Sequence, residues 1–297
     1  MTIKLATKNF GAILPGVGAC VIWSACNISN KVVLDAGVAP LTLLFGQLLV
    51  SAPVLWIVAF ARRRKLPVSG KGRLFRLGFW QPGIAYGASF IGLTMTSVTV
   101  EALLFSVETL MIIYFAWVLL GERPPSTTIA AGILGSVGVA LVTGLGSSTN
   151  LTVGLLGPVL ILIGVAGAAL YSVLIKREVE TQNAVPVVAI AQCGGLTVIA
   201  LAWLIWPDPE RFASLTMETL LIIGVSGLLM HSLAFVLFVR QLETLTASTA
   251  SLLLLSIPVM TAVLGYVLLD ERLSALQIAG ATVVMGALLL QVWPRRT

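Results

Sequence analysis

Ten long apolar stretches, separated by short polar breaks, are the feature that most constrains the fold of this chain. Each stretch holds about 20 residues, the length an α-helix needs to cross the hydrocarbon core of a bilayer. The stretches are continuously apolar rather than alternating, which argues against a transmembrane β-barrel. The sequence therefore predicts an all-α integral membrane protein with ten transmembrane helices. The predicted spans are residues 11–30, 40–60, 77–95, 99–120, 126–144, 153–175, 184–206, 217–239, 246–269 and 274–293.

The composition excludes the main soluble classes. The 297 residues are 58% hydrophobic and 10% charged, whereas an ordinary soluble domain carries about 25% charged residues. A folded domain of this size still exposes about a quarter of the surface of its unfolded chain. So few polar side chains cannot cover that surface in water. A soluble enzyme, a disulfide-built secreted module and a disordered chain are therefore excluded.

Lysine and arginine are distributed unevenly between the two ends of the predicted spans. With the N-terminus in the cytoplasm, 15 of the 18 basic residues fall on the cytoplasmic side, and Lys31, Arg211 and Arg272 fall on the other. The positive-inside rule then predicts an inner-membrane protein with both termini in the cytoplasm. The basic segment 61–76 is interpreted as a topology determinant resting on anionic lipid headgroups, and not as a nucleic-acid site.

The chain contains an internal repeat. A shift of 149 residues aligns segment 101–123 with segment 250–272, and eight of the 23 positions are identical. The most specific match is the Leu-Leu-x-Glu-Arg sequence that ends both segments. This predicts two halves, residues 1–148 and 149–297, with five spans each. Because five is odd, the second half must enter the membrane in the opposite orientation, so we predict a 5+5 inverted-topology repeat. Such repeats are typical of secondary transporters, which bind substrate near the membrane midplane between the halves.

Three motifs carry a resemblance to a known family. Trp23-Ser24 opens the first span with Lys31 eight residues after the tryptophan, Pro40 begins the second span, and the sequence Leu-Leu-Gly-Glu-Arg-Pro ends the fourth. With these motifs the chain resembles the ten-helix, EamA-type members of the drug/metabolite transporter superfamily. The resemblance implies export of amino acids, related metabolites or toxic organic compounds, coupled to protons in some members.

Two positions depart from the pattern of that family. Many members carry arginine seven residues after the proline of the second helix, where this chain has Gln47. Many carry proline midway along the fourth helix, where this chain has Thr109, although the second half keeps Pro258.

Two acidic residues lie inside a predicted span. Glu101 and Glu108 are seven residues apart, so on a helix they point within about 20° of each other, and Glu108 lies about 12 Å along its helix, near mid-membrane. A charged side chain at mid-membrane costs about 2.5–3.5 kcal/mol, so it usually faces a cavity or a partner. The hypothesis is that Glu108 binds a proton or a cationic substrate group, with Glu101 nearer the outer mouth. The alternative is a protonated, hydrogen-bonded core glutamate, or one paired with Lys31 or His231.

Further candidate substrate contacts are polar or aromatic side chains within the spans. For each of them, packing or a hydrogen bond between helices is the alternative. His231 is the only histidine and has no metal-ligating companions, and the three cysteines fall inside spans, so no metal site, disulfide or cofactor is predicted. The candidates are Trp23, Asn27 and Asn30 on one face of the first helix, with Tyr86, Ser89, Tyr171, Gln192 and His231 elsewhere.

These features favour one function class over the others. We predict a secondary transporter that exports small metabolites, above all amino acids or related amphipathic compounds, by alternating access. A proton-coupled multidrug or toxic-compound exporter is the alternative. A membrane-embedded enzyme is a remote alternative, because no nucleophile–base pair or metal cluster is visible. The expected partners are a small-molecule substrate and membrane lipid, without nucleic acid, and the chain is expected to act as a monomer or a homodimer.

Overall fold

The computed structural model describes residues 2–67, 70–95, 98–142, 155–180, 182–205, 214–269 and 274–292. Within these ranges the regular structure is entirely helical, which confirms the all-α prediction. Ten helical segments follow the predicted spans in order. They are α1 (Thr2–Asp35), α2 (Pro40–Ala61), α3 (71–93), α4 (98–120), α5 (Ser126–Val142), α6 (Leu156–Val179), α7 (Ala184–Ile205), α8 (Met217–Leu242), α9 (247–269) and α10 (Ala275–Val292).

Length and hydropathy support a membrane setting for these helices. Among the described residues, six stretches are long and apolar enough to cross a bilayer on their own, in α1, α2, α6, α7, α8 and α9. Three shorter apolar helices cover Leu104–Leu120, Ser126–Val142 and Ala275–Leu289. The predicted boundaries are least accurate at α1, which continues to Asp35, and at α3, which already begins at Lys71.

Two helices contain a widened π-helical turn at the same place in the repeat. The turn covers Phe79–Ile84 in α3 and Gly227–Ala234 in α8, and the 149-residue shift places one upon the other. In α3 the backbone at Gln81 is extended (φ −147°, ψ 126°), and Pro82 after it has no N–H to donate. Broken backbone at membrane depth is tolerated where protein or a cavity surrounds it. The two widened turns therefore lie at equivalent positions of the two halves.

The two halves interlock through exchanged contacts. Helix α1 packs on α8 and α9, whereas its repeat equivalent α6 packs on α3 and α4. In addition, the equivalent pairs α2–α7, α4–α9 and α5–α10 each pack together. Exchanging the halves reproduces this set of contacts, so the halves are related by a pseudo-two-fold axis.

Equivalent helices run in opposite directions. Trp203 donates a hydrogen bond to Thr42 at 3.0 Å near one end of the α2–α7 pair, and Trp56 donates one to Cys193 at 3.1 Å near the other end. Later residues of α2 therefore meet earlier residues of α7, which makes the pair antiparallel. This is the arrangement that an inverted repeat requires.

Glycines allow α3 and α7 to approach each other at backbone distance. A Cβ atom on Gly194 would collide with the carbonyl group of Phe75, and a Cβ atom on Gly78 would collide with that of Ala191. Small residues permit such close packing between helices in lipid. These glycines therefore fix the position of α3, the helix that carries Tyr86.

The first copy of the Leu-Leu-x-Glu-Arg sequence, which ends α4, caps a helix of the second half. Gly121 ends α4 in the left-handed conformation (φ 67°), and Glu122 then reaches the N-terminus of α9. Its carboxylate accepts hydrogen bonds from the backbone N–H groups of Ala247 (2.9 Å) and Ser248 (3.2 Å) and from the Ser248 hydroxyl (2.8 Å). A carboxylate at a helix N-terminus pairs with otherwise free N–H groups and with the helix dipole.

Replacing Glu122 with alanine is expected to lower the free energy of unfolding by about 0.5–2 kcal/mol, the usual value of an N-terminal cap. Thermal unfolding of the purified protein in detergent measures the loss. Glu218→Ala is the matched control, because Glu218 is an exposed acidic residue in the first turn of α8. Equal effects of the two substitutions would contradict the capping role.

Candidate functional site

Four of the predicted site residues surround one phenylalanine. Phe235, which directly follows the widened turn of α8, is buried, with 1% of its surface exposed. Its ring centroid lies 5.7 Å from that of Trp23, 5.9 Å from those of Tyr171 and His231, and 6.2 Å from that of Tyr86. We call these five residues the aromatic cluster.

The aromatic cluster lies where the pseudo-two-fold axis passes through the molecule. The 149-residue shift relates Tyr86 to Phe235, and these two rings contact each other. A shift of 148 residues relates Trp23 to Tyr171, and both of these rings contact Phe235. Repeat-equivalent residues meet only near the axis. The cluster therefore occupies the interface between the halves, where inverted-repeat transporters form their substrate sites.

A buried polar network centred on Gln47 adjoins the aromatic cluster. The Gln47 Nε2 donates to Asn30 Oδ1 at 2.7 Å and to Ser226 Oγ at 2.8 Å, and its Oε1 lies 3.2 Å from His231 Nε2. The Asn30 Nδ2 in turn lies 3.5 Å from the sulfur of Met230. The network joins α1, α2 and α8 through Gln47 of α2.

The network determines which nitrogen of His231 carries the hydrogen. The Ser226 hydroxyl donates to the Ile223 carbonyl at 3.2 Å, so it must accept from the Gln47 amide. The amide oxygen then faces His231, and Nε2 of the neutral imidazole has to be the donor. Within the described residues, Nδ1 of His231 is buried and has no hydrogen-bond partner. The ring therefore presents one free acceptor within the aromatic cluster.

The indole of Trp23 presents a free donor in the same region. Its side chain is buried, and its Nε1 has no partner in the part of the chain that the structure describes. A buried tryptophan N–H usually finds a hydrogen-bond partner. The donor of Trp23 and the acceptor of His231 are therefore both available to a bound molecule.

The two carboxyl groups of α4 lie on its inward side. Glu108 is 9% exposed, and it lies on the opposite face of α4 from Trp117, which follows nine residues later and is 57% exposed. Both Glu108 and Glu101 lie within electrostatic range of Tyr86. The structure does not pair Glu108 with either proposed partner, because Lys31 binds Asp35 at 2.8 Å and His231 binds Gln47. Glu108 is therefore a buried carboxyl group whose charge would act on Tyr86 of the aromatic cluster.

The remaining candidates occupy different surroundings. Gln192 donates from Nε2 to the main-chain oxygen of His231 at 2.9 Å, which stabilises the widened turn of α8. Ser89 is buried against Gly164, where α3 packs on α6. Asn27 has an exposed side chain and does not share the buried setting of Trp23 and Asn30.

Two contributors to this region were not among the sequence candidates. Phe235 is one of many apolar residues in α8, and only its repeat relation to Tyr86 could have marked it. Gln47 departs from the family pattern, but the sequence does not show that it centres a network. Its partners Ser226 and His231 lie 179 and 184 residues away in sequence. Such long separations leave no local signal.

Comparison with known proteins identifies the family. Residues 10–144 and 155–293 each match the EamA-like transporter family. The chain therefore belongs to this family, and it is a multi-pass membrane transporter.

Individual relatives and a solved structure agree with this assignment. An uncharacterized transporter of Clostridium kluyveri is 22% identical over 91% of this chain and 89% of its own length. Protein PecM of Dickeya dadantii is 25% identical over 75% of this chain and 74% of its own length. A crystal structure superposes with a TM-score of 0.81 over 94% of this chain and 97% of the other, at 18% identity, which shows the same fold.

Proposed function

We propose that this protein is a secondary transporter that exports small amphipathic metabolites, with amino acids as the favoured class, across the inner membrane by alternating access. The observation that carries the proposal is the aromatic cluster on the pseudo-two-fold axis, with the carboxyl group of Glu108 within electrostatic range of its Tyr86. The halves are similar in fold and opposite in direction. Exchanging their conformations would open this region first to one side of the membrane and then to the other.

The chemistry around the aromatic cluster suits a zwitterion with an apolar side chain. The carboxyl group of Glu108 and the free acceptor of His231 are partners for an ammonium group, whose charge also interacts favourably with aromatic faces. The indole N–H of Trp23 is a donor for a carboxylate. The rings of Phe235 and Tyr171 offer an apolar surface to the side chain of the substrate.

An exporter of organic cations coupled to protons is the second candidate. The observation that favours it is the absence of a repeat-equivalent acid for Glu108, since Ile257 occupies the corresponding position. One buried carboxyl group among aromatic rings can bind a cation and a proton in turn. In that case the substrate would lack the carboxylate that Trp23 recognises in an amino acid.

Transport by the purified protein in liposomes tests the proposal. Liposomes are loaded with a panel of amino acids, and counterflow of radiolabelled substrate is measured with and without an imposed pH gradient. Counterflow without a gradient indicates facilitated diffusion, and strict dependence on the gradient indicates proton antiport. If organic cations are transported and none of the amino acids in the panel is, the result supports the second candidate. Transport of neither class would contradict both.

The indole N–H of Trp23 gives the proposal a test at one atom. Replacing Trp23 with phenylalanine keeps an aromatic ring but removes the donor, and the KM for the amino acid is expected to rise about tenfold, because a hydrogen bond to a charged group contributes about 1.5–3 kcal/mol. Trp117→Phe, on the lipid-exposed side of α4, is the matched control and should leave the KM unchanged. An unchanged KM in Trp23→Phe would remove this residue from the site.

A further inference from the structure

A groove between α2 and α8 lies apart from the aromatic cluster. It encloses a cavity of about 450 Å³ and is closed at one end by the start of α7, at Asn183 and Val185. On α8 its lining residues Leu229, Leu233 and Arg240 form a stripe on a different face of the helix from Phe235. The groove is therefore not a continuation of the candidate substrate site.

One end of the groove is cationic. Arg62 and Arg64 reach it from the end of α2, and Arg240 reaches it from α8. All three side chains are exposed, and none of them forms an ion pair within the described ranges. Glu243 is the one acidic residue in the lining, so three positive charges face one negative charge. This end attracts an anion.

The rest of the groove is almost entirely apolar. Leu228 and Leu233 are 40% and 44% exposed, which leaves apolar side chains open at the protein surface. Ser232 is a polar exception, and its hydroxyl already donates to the Ser51 carbonyl at 3.3 Å. The apolar wall also includes Val54, Leu55, Val58, Leu229, Val236 and Leu237.

The length of the groove matches one leaflet of a bilayer. From Arg240 to Leu228 the lining covers 12 residue steps of α8, which is at most about 18 Å at the α-helical rise of 1.5 Å per residue. Half of a hydrocarbon core about 30 Å thick is about 15 Å. The cationic end also coincides with the basic run 62–65, which the positive-inside rule assigns to the membrane surface. A molecule that fills the groove would therefore have its anionic group at the headgroup level and its chain within one leaflet.

We propose that this groove binds one anionic phospholipid. The phosphate lies among Arg62, Arg64 and Arg240, and one acyl chain lies along the apolar wall between α2 and α8. Guanidinium groups match phosphate oxygens in geometry and charge, and basic pockets between transmembrane helices are suited to anionic headgroups. A soluble anion would leave the apolar wall uncovered, whereas a zwitterionic lipid would leave the three arginines without a matching net charge.

Lipid binding to the purified, delipidated protein tests this proposal. Native mass spectrometry measures the affinity for dioleoyl phosphatidylglycerol and for dioleoyl phosphatidylcholine, which differ only in the headgroup. We expect at least about a tenfold preference for phosphatidylglycerol. Equal affinity for the two lipids would overturn the proposal. If millimolar inorganic phosphate displaced bound phosphatidylglycerol as effectively as added phosphatidylglycerol does, the proposal would also be overturned. The groove would then be an anion site that does not bind an acyl chain.

Matched charge variants distinguish this groove from the general charge of the surface. The triple variant Arg62→Gln, Arg64→Gln and Arg240→Gln is expected to lose the preference for phosphatidylglycerol. The control triple variant Arg63→Gln, Lys65→Gln and Arg76→Gln removes the same charge from the same side of the protein, outside the groove lining, and should keep the preference. Equal losses in both variants would show diffuse surface attraction and overturn the proposal.

A further variant tests the apolar wall without any change of charge. Leu233→Trp adds bulk at an exposed position of the groove and is expected to weaken phosphatidylglycerol binding several-fold. Because Leu233 is exposed, this variant remains informative if the arginine variant fails to fold. Undiminished binding by a monodisperse Leu233→Trp protein would overturn the assignment of the acyl chain to this wall.

Discussion

Replacing Glu108 with glutamine is expected to abolish transport driven by a pH gradient. The amide has nearly the same size and keeps a hydrogen-bonding oxygen, but it neither carries a negative charge nor takes up and releases a proton. We expect gradient-driven flux in proteoliposomes to fall at least about tenfold, which corresponds to about 1.4 kcal/mol or more. The folded protein should not lose stability, because the substitution removes an ionisable group from the membrane interior.

Two controls make the Glu108 result specific. Glu218→Gln changes an exposed acid outside the aromatic cluster and should leave flux intact. Glu101→Gln, about two helical turns nearer the predicted outer mouth, should have a smaller effect than Glu108→Gln. If Glu108→Gln transports with the pH dependence of the unmodified protein, then Glu108 is a core residue and the proton-coupling hypothesis fails.

Replacing Gly194 with alanine is expected to cause a large loss of stability. The added Cβ atom would collide with the carbonyl group of Phe75, and backbone atoms cannot move aside as a flexible side chain can. Helices α3 and α7 would have to separate, at a cost of about 3 kcal/mol, the upper part of the usual range for overpacking. Thermal unfolding in detergent should show a lower Tm, and transport should fall because α3 carries Tyr86.

Gly224→Ala is the matched control for Gly194→Ala. Gly224 also lies within a transmembrane helix, but no heavy atom lies within 4 Å of the Cβ that alanine would add. Alanine there should be neutral or slightly stabilising, because its helix propensity exceeds that of glycine by up to about 1 kcal/mol. A Gly194→Ala protein as stable as the Gly224→Ala protein would contradict the close approach of α3 and α7.

The spans and the repeat are readable from the sequence because lipid imposes a simple requirement. A helix that crosses a bilayer must be apolar over a fixed length, and among the described residues this signal has its full length in six helices and a shorter length in α4, α5 and α10. The parity of five spans also predicts the inversion that the antiparallel α2–α7 pair displays. The widened turns carry a weaker signal, since Pro82 marks the break in α3 whereas no proline marks the turn that contains His231.

The candidate site is only partly readable from the sequence. Trp23, Tyr86, Tyr171 and His231 stand out as polar or aromatic residues in apolar helices, and the fold brings them together. Phe235 does not stand out, because an additional apolar side chain is what any span contains. Helical periodicity places Asn27 with Trp23 and Asn30, but it cannot tell which face of α1 is covered by neighbouring helices. That information comes from the packing of α1 on α8 and α9.

The cap that Glu122 forms has a consequence for the speed of the transport cycle. It fastens the end of α4 to the beginning of α9 through three hydrogen bonds to one carboxylate, and all three must break before these helix ends can part. We expect separation at this face to be an activated step, slower than the fluctuations of the neighbouring loops. A pair of spin labels on α4 and α9 would report this separation directly, as a change in the fraction of molecules with the longer distance between the labels.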